Sequence, residues 1–173
     1  MTKAALRQRH LNRRSALSSE SKQAAFSVIT EKACRRLADV SSIGIYVSVG
    51  QEVDTHVLIR WALANGKAVS VPRVIEGALR FIAITSLDDC VPAKFGLLEP
   101  VSEVAAPEPE VQIVPMLAYN DRMFRLGYGK GYYDGYLKTF SGKTVGLCYA
   151  DDHEPQLHED PWDIPLDEIL SER

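Results

Sequence analysis

The chain has 173 residues, 46% of them hydrophobic and 25% charged, with a formal net charge of -3. That length predicts one domain over 1–173 with a core large enough to fold without a metal or a disulfide. The charge excludes a protein held on nucleic acid by many phosphate contacts, and no apolar run reaches membrane-span length.

The elements follow in chain order. Residues 2–16 read as a helix rich in Ala, Leu, Arg and Gln, and Ser18-Ser19-Glu20 restarts a second one whose face carries Ala25, Val28, Ile29, Ala33 and Leu37. Ile43-Gly-Ile-Tyr-Val47 is a buried strand. Asp54 or Thr55 caps the next helix, which runs to Asn65-Gly66, and a second strand follows at Ala68-Val-Ser-Val71. This β–α–β order implies a right-handed crossover, so the expected fold is α/β, a largely parallel Rossmann-like sheet with helices on both faces. Leu79 to Ile84 is a further strand candidate, and Pro92 to Pro109 reads as an irregular surface crossing. Later strands are expected at 111–115 and 143–148 with a helix over 131–139 between them, and the tail 164–169 is a candidate edge strand. Cys34, Cys90 and Cys148 are odd in number and lack metal-ligand spacing, which points to a reducing, cytoplasmic setting. His10, His56, His153 and His158 form no zinc or triad spacing and read as surface residues.

Gly127, Gly129 and Gly131 alternate with Tyr128 and Lys130 between a strand-like and a helix-like run. Glycines let backbone amides approach a ligand closely, so the segment suits phosphate, yet it matches neither the dinucleotide fingerprint nor the P-loop. Arg125 and Lys130 add cations, and Asp134 just beyond is a candidate magnesium ligand. Residues 1–19 hold Lys3, Arg7, Arg9, Arg13 and Arg14 and no acid. A solvated basic face, a presequence and a polyphosphate-binding face all fit that composition. Lys3 and Arg7 share a helix face, where a bound polyphosphate would turn their repulsion into attraction.

Arg125-Leu-Gly-Tyr-Gly-Lys-Gly-Tyr-Tyr-Asp134 closely resembles the signature of 5-formyltetrahydrofolate cyclo-ligases. Lys3-Ala-Ala-Leu-Arg7, Gly50-Gln-Glu-Val-Asp-Thr55, Val71-Pro-Arg73 and Leu166-Asp-Glu-Ile169 fall in that family's order, so the likeness spans nearly the whole chain. Phe124 departs from it, standing where a glycine is expected. The resemblance implies conversion of 5-formyltetrahydrofolate to 5,10-methenyltetrahydrofolate with ATP and magnesium. It implies nucleotide contacts from Lys3, Arg7, Arg125, Gly127, Gly129, Lys130, Gly131, Tyr132 and Tyr133, with Lys130 and Arg125 catalytic. It places Glu52, Val47, Phe95, Tyr128 and Tyr132 against the folate, polyglutamylated or not, and gives Asp134 and Asp167 to magnesium. No nucleic acid or membrane partner is expected, and the chain is taken as a monomer. The rival is a nucleotide-binding or sugar-phosphate-binding regulatory module on the same fold, which would have little need of a magnesium pair.

Overall fold

In a computed structural model the backbone is described for residues 1–173 and the side chains for all of them except Phe95. The N-terminal half opens with helices α1 (Lys3–Ala16) and α2 (Ser19–Arg36), then strand β1 (Ser42–Gly44) and helix α3 (His56–Ala64). A long hairpin follows, β2 (Ala68–Ile75) and β3 (Ala78–Ile84), and then a small one, β4 (Cys90–Pro92) and β5 (Leu98–Pro100). The second half runs β6 (Val111–Pro115), β7 (Ala118–Tyr119), β8 (Arg125–Leu126), α4 (Tyr132–Leu137), β9 (Lys143–Leu147) and β10 (Glu168–Leu170).

The main sheet has the order β10-β9-β6-β1-β2-β3, parallel throughout except where β3 turns back on β2. Alternation along the central strands explains its two coverings. Ile43, Ile45, Val111, Ile113, Val145 and Leu147 point to one face, where Ile29 and Ala33 of α2 and Leu58, Ile59 and Ala62 of α3 cover them. Val114, Cys148 and Leu166 point to the other, where Leu137 of α4 and Met116 close over them. The expected parallel α/β sheet is therefore the fold.

Several details differ from expectation. Leu79 to Ile84 is the return arm of an antiparallel hairpin turned by Glu76 and Gly77, both at positive φ. Part of the Pro-rich crossing is ordered as the β4–β5 hairpin. The last strand begins at Glu168, which leaves Asp167 at its lip instead of within it. His10 is buried, not on the surface, because α1 lies on the body of the protein along the stripe Leu6, His10 and Arg14.

Candidate active site

The site assembles around α1. Thr2 caps this helix with its hydroxyl accepting from the Ala5 N–H at 3.2 Å. Leu6, His10 and Arg14 recur every four residues, so they share one helical face. Leu6 packs with Ala118, Leu126 and Leu157. Arg14 is wholly buried: it donates to Asp152 at 2.8 Å, to the Met116 and Leu117 carbonyls at 2.7 and 3.2 Å, and to the Gln51 carbonyl at 3.1 Å. Asp152, also fully buried, meets His10 at 2.6 Å and Arg13 at 2.5 Å. Glu154 pairs with Arg9 and lies 3.4 Å from the other His10 nitrogen. Buried ions persist only when paired, so this network fixes where α1 sits. Much of the basic character of residues 1–19 is spent here, on the protein's own acids.

Arg7 is placed differently. Its Nε donates to the Gly127 carbonyl at 2.8 Å, and its guanidinium lies where a Cβ on Gly129 would stand 3.2 Å away. Gly129 has φ +93° and Gly131 φ +71°, backbone that side chains rarely adopt, so the alternating glycines let the chain turn beneath α1. Lys3, one turn earlier, donates to Asp160 at 2.6 Å and Asp163 at 2.5 Å. Burial works against its charge, but the two carboxylates outweigh that and raise its pKa. The expected meeting of the N-terminal helix with the glycine-rich segment is present through Arg7, while Lys3 reaches the loop before β10.

Arg125 is buried on β8 and bonds Asp134 at 2.7 Å and the Ile164 carbonyl at 2.9 Å. It braces the glycine-rich segment against the loop before β10. Lys130 is exposed beside it, as are Tyr128 and Tyr132 at the edge of the segment. Among the described residues Asp134 and Asp167 have no hydrogen-bond or ion-pair partner in common. Asp167 accepts from the Thr144 N–H at 2.8 Å and its hydroxyl at 2.9 Å where β9 begins, bonds that lower its pKa. Among the described residues, no three His, Cys, Asp or Glu side chains form a metal-holding group.

Glu52 follows the extended run after β1, at the carboxyl end of the sheet, where open α/β sheets bind ligands. It closes a turn in which the Val49 N–H donates to its carboxylate at 2.8 Å. Burial pushes its pKa up to about 7, against the pull of that N–H, the Arg14 charge and the Tyr128 hydroxyl. Tyr128 exposes 42% of its surface but turns its hydroxyl inward, where burial and then the Glu52 charge raise its pKa. The Tyr133 hydroxyl is buried with no hydrogen-bond partner and feels the same two influences, burial first. A buried hydroxyl without a partner is uncommon, and this one belongs to the glycine-rich segment. Val47 is buried in the core at 5% exposure, and the Phe95 side chain lies outside the described residues. Thr55 is the cap residue of α3, and Asp54 just before it accepts from the His56 N–H at 2.8 Å.

Sequence reasoning missed His10, Arg14, Asp152 and Tyr46, whose hydroxyl bonds the Val53 carbonyl at 2.8 Å under Glu52. The four-residue spacing of Leu6, His10 and Arg14 was the available signal for α1. Nothing local marks Asp152 as their partner.

Known proteins resemble this chain throughout. A profile of the 5-formyltetrahydrofolate cyclo-ligase family matches residues 1–172. A 5-formyltetrahydrofolate cyclo-ligase of Escherichia coli (strain K12) is 30% identical over 142 residues, 75% of this chain and 77% of that protein. One of Mus musculus is 28% identical over 189 residues, 98% of this chain and 93% of that protein. The 5,10-methenyltetrahydrofolate synthetase structure from Mycoplasma pneumoniae superposes with TM-score 0.82 at 26% identity, covering 100% of both chains. That from Aquifex aeolicus gives 0.84 at 29% identity, covering 100% of this chain and 91% of that one. With the profile covering all but the last residue, the chain belongs to the 5-formyltetrahydrofolate cyclo-ligase family.

Proposed function

We propose that the chain closes 5-formyltetrahydrofolate to 5,10-methenyltetrahydrofolate, consuming ATP and releasing ADP and phosphate. The observation that carries this reading is the docking of α1 on the glycine-rich segment, with Arg7 on Gly127 and Gly129, and the Tyr128 hydroxyl of that segment at the half-buried carboxyl of Glu52. One side of that junction is built for phosphate, the other for a planar hydrogen-bonding ring.

An N-formyl amide is a poor electrophile. Transfer of the γ-phosphoryl group from ATP to the formyl oxygen makes that oxygen a leaving group and frees ADP. The neighbouring N10 amine then attacks the formyl carbon, loses its proton, and phosphate departs to leave the cyclic methenyl cation. Phosphoryl transfer calls for positioning and charge neutralisation more than for a nucleophile of the protein. Arg7 and the glycine amides hold the phosphates, and Lys130 meets the charge that grows on the transferring group. Arg125, buried and already paired, acts by holding Asp134 and the 160–164 loop in place. Glu52, with Tyr128 and Tyr132, orients the folate.

Magnesium fits at Asp134. One of its oxygens faces Arg125, and the other would hold the cation. Bound there, magnesium would neutralise phosphate charge. Asp167 accepts from Thr144 where β9 begins, and it enters this reading as a second magnesium carboxylate through the family resemblance alone.

The test is to mix protein, 5-formyltetrahydrofolate, magnesium and ATP and follow the methenyl-folate absorbance band. A band that requires all four supports the reading. Nucleotide binding with no band returns the chain to the regulatory-module alternative.

A further inference from the structure

We propose that Trp162 is the stacking platform for the purine base of the nucleotide, and that Lys3 serves chiefly to position it. This rests on the nucleotide reading above. The chain has two tryptophans: Trp61 packs on the core, whereas Trp162 is 68% exposed. A tryptophan left in water forgoes a large burial of apolar surface, so its place decides what it does.

Trp162 stands in the turn Asp160-Pro161-Trp162-Asp163, closed by the Asp163 N–H on the Asp160 carbonyl at 3.0 Å and by the Asp160 N–H on the Asp163 carboxylate at 2.8 Å. Proline at the second position of a turn is already in the required backbone conformation, which makes the mount stiff. Both ends of the mount are tied to the candidate site. Asp160 and Asp163 hold Lys3, and the next residue, Ile164, accepts from Arg125 at 2.9 Å and offers its N–H to Asp134 at 3.4 Å. The exposed ring thus rides on a strap running from the start of α1 to the start of α4, along the glycine-rich segment.

Electrostatics orients the nucleotide on this strap. Lys3 offsets only one of the two carboxylates it touches, so the turn keeps a net negative charge and repels phosphate. Arg7, one helical turn away on the same face, and the glycine amides attract it. The phosphates therefore lie at Arg7 and the neutral base at the turn, where the indole offers it a face. Stacking of this kind tolerates any base, so the platform supplies affinity without choosing strongly among purines.

The experiment compares ATP with inorganic tripolyphosphate, each titrated with magnesium and without folate, on wild type, Trp162→Ala and Trp162→Phe. We expect Trp162→Ala to weaken ATP by about 5- to 150-fold and to leave tripolyphosphate within about 2-fold, with Trp162→Phe recovering most of the loss. In a Trp61→Phe background, Trp162 fluorescence should change with ATP at the concentrations that saturate binding, and not with tripolyphosphate. Unchanged ATP affinity in Trp162→Ala overturns the inference, as does an equal loss of tripolyphosphate or a fluorescence response to folate alone. Failure of the reading beneath it looks different: wild type would then bind neither ATP nor tripolyphosphate and form no methenyl band.

Discussion

Replacing Glu52 by Gln should make the protein more stable and less active at once. A carboxyl whose pKa rises from 4.5 to about 7 on folding holds its proton more tightly in the folded state than in the unfolded one. Between those two values the folded state binds more protons, so stability falls as pH rises. At about 1.4 kcal/mol per pKa unit, the penalty reaches about 3 kcal/mol above pH 7 and vanishes below about pH 4. Glutamine does not ionise, yet its carbonyl can still accept from the Val49 N–H. Urea unfolding of both proteins at several pH values reads the difference directly. Glu52→Gln should gain on wild type by about 3 kcal/mol between pH 4.5 and 8, with most of the gain accumulating up to pH 7. Catalytic efficiency of the variant at neutral pH should fall about 10- to 150-fold, because a charge-assisted contact to the folate is lost. ATP affinity without folate should stay near wild type. A stability gap that does not widen with pH would refute the argument that burial governs this carboxyl. Loss of ATP affinity with folate binding intact would refute the division of the site.

Other outcomes test the remaining parts. Asp152→Asn removes the charge that meets Arg14, His10 and Arg13 inside the protein, and should cost about 3–5 kcal/mol in urea unfolding because Arg14 stays buried. Arg7→Ala should leave stability within about 1 kcal/mol and weaken ATP about 10- to 100-fold by calorimetry, with folate affinity unchanged. Gly129→Ala puts a side chain at φ +93° against the Arg7 guanidinium, so it should lose about 1–3 kcal/mol of stability and weaken ATP as well, both read in the same two assays.

Period and composition determined much of this protein before any contact was known. Short apolar runs at 43–47, 111–115 and 143–148 read as buried strands, and the β–α–β order with short connections implied a parallel sheet with helices on its faces. The glycines at 127, 129 and 131 marked a place where backbone must approach something closely, and Arg7 occupies that approach on one side. The family's segments were legible for the same reason: they are runs of adjacent residues. What the tertiary structure alone decided are the pairings between distant charges. By composition Lys3, Arg7, Arg13 and Arg14 are four cations of one basic helix. In the fold Arg14 and Arg13 are committed to Asp152, Lys3 to Asp160 and Asp163, and Arg7 to the glycine-rich backbone. Helical spacing groups Lys3 with Arg7 and puts Arg14 on the Leu6 and His10 stripe, but no local signal names their partners, because a cation's role is set by which carboxylate or carbonyl the chain returns to it from 100 or more residues away.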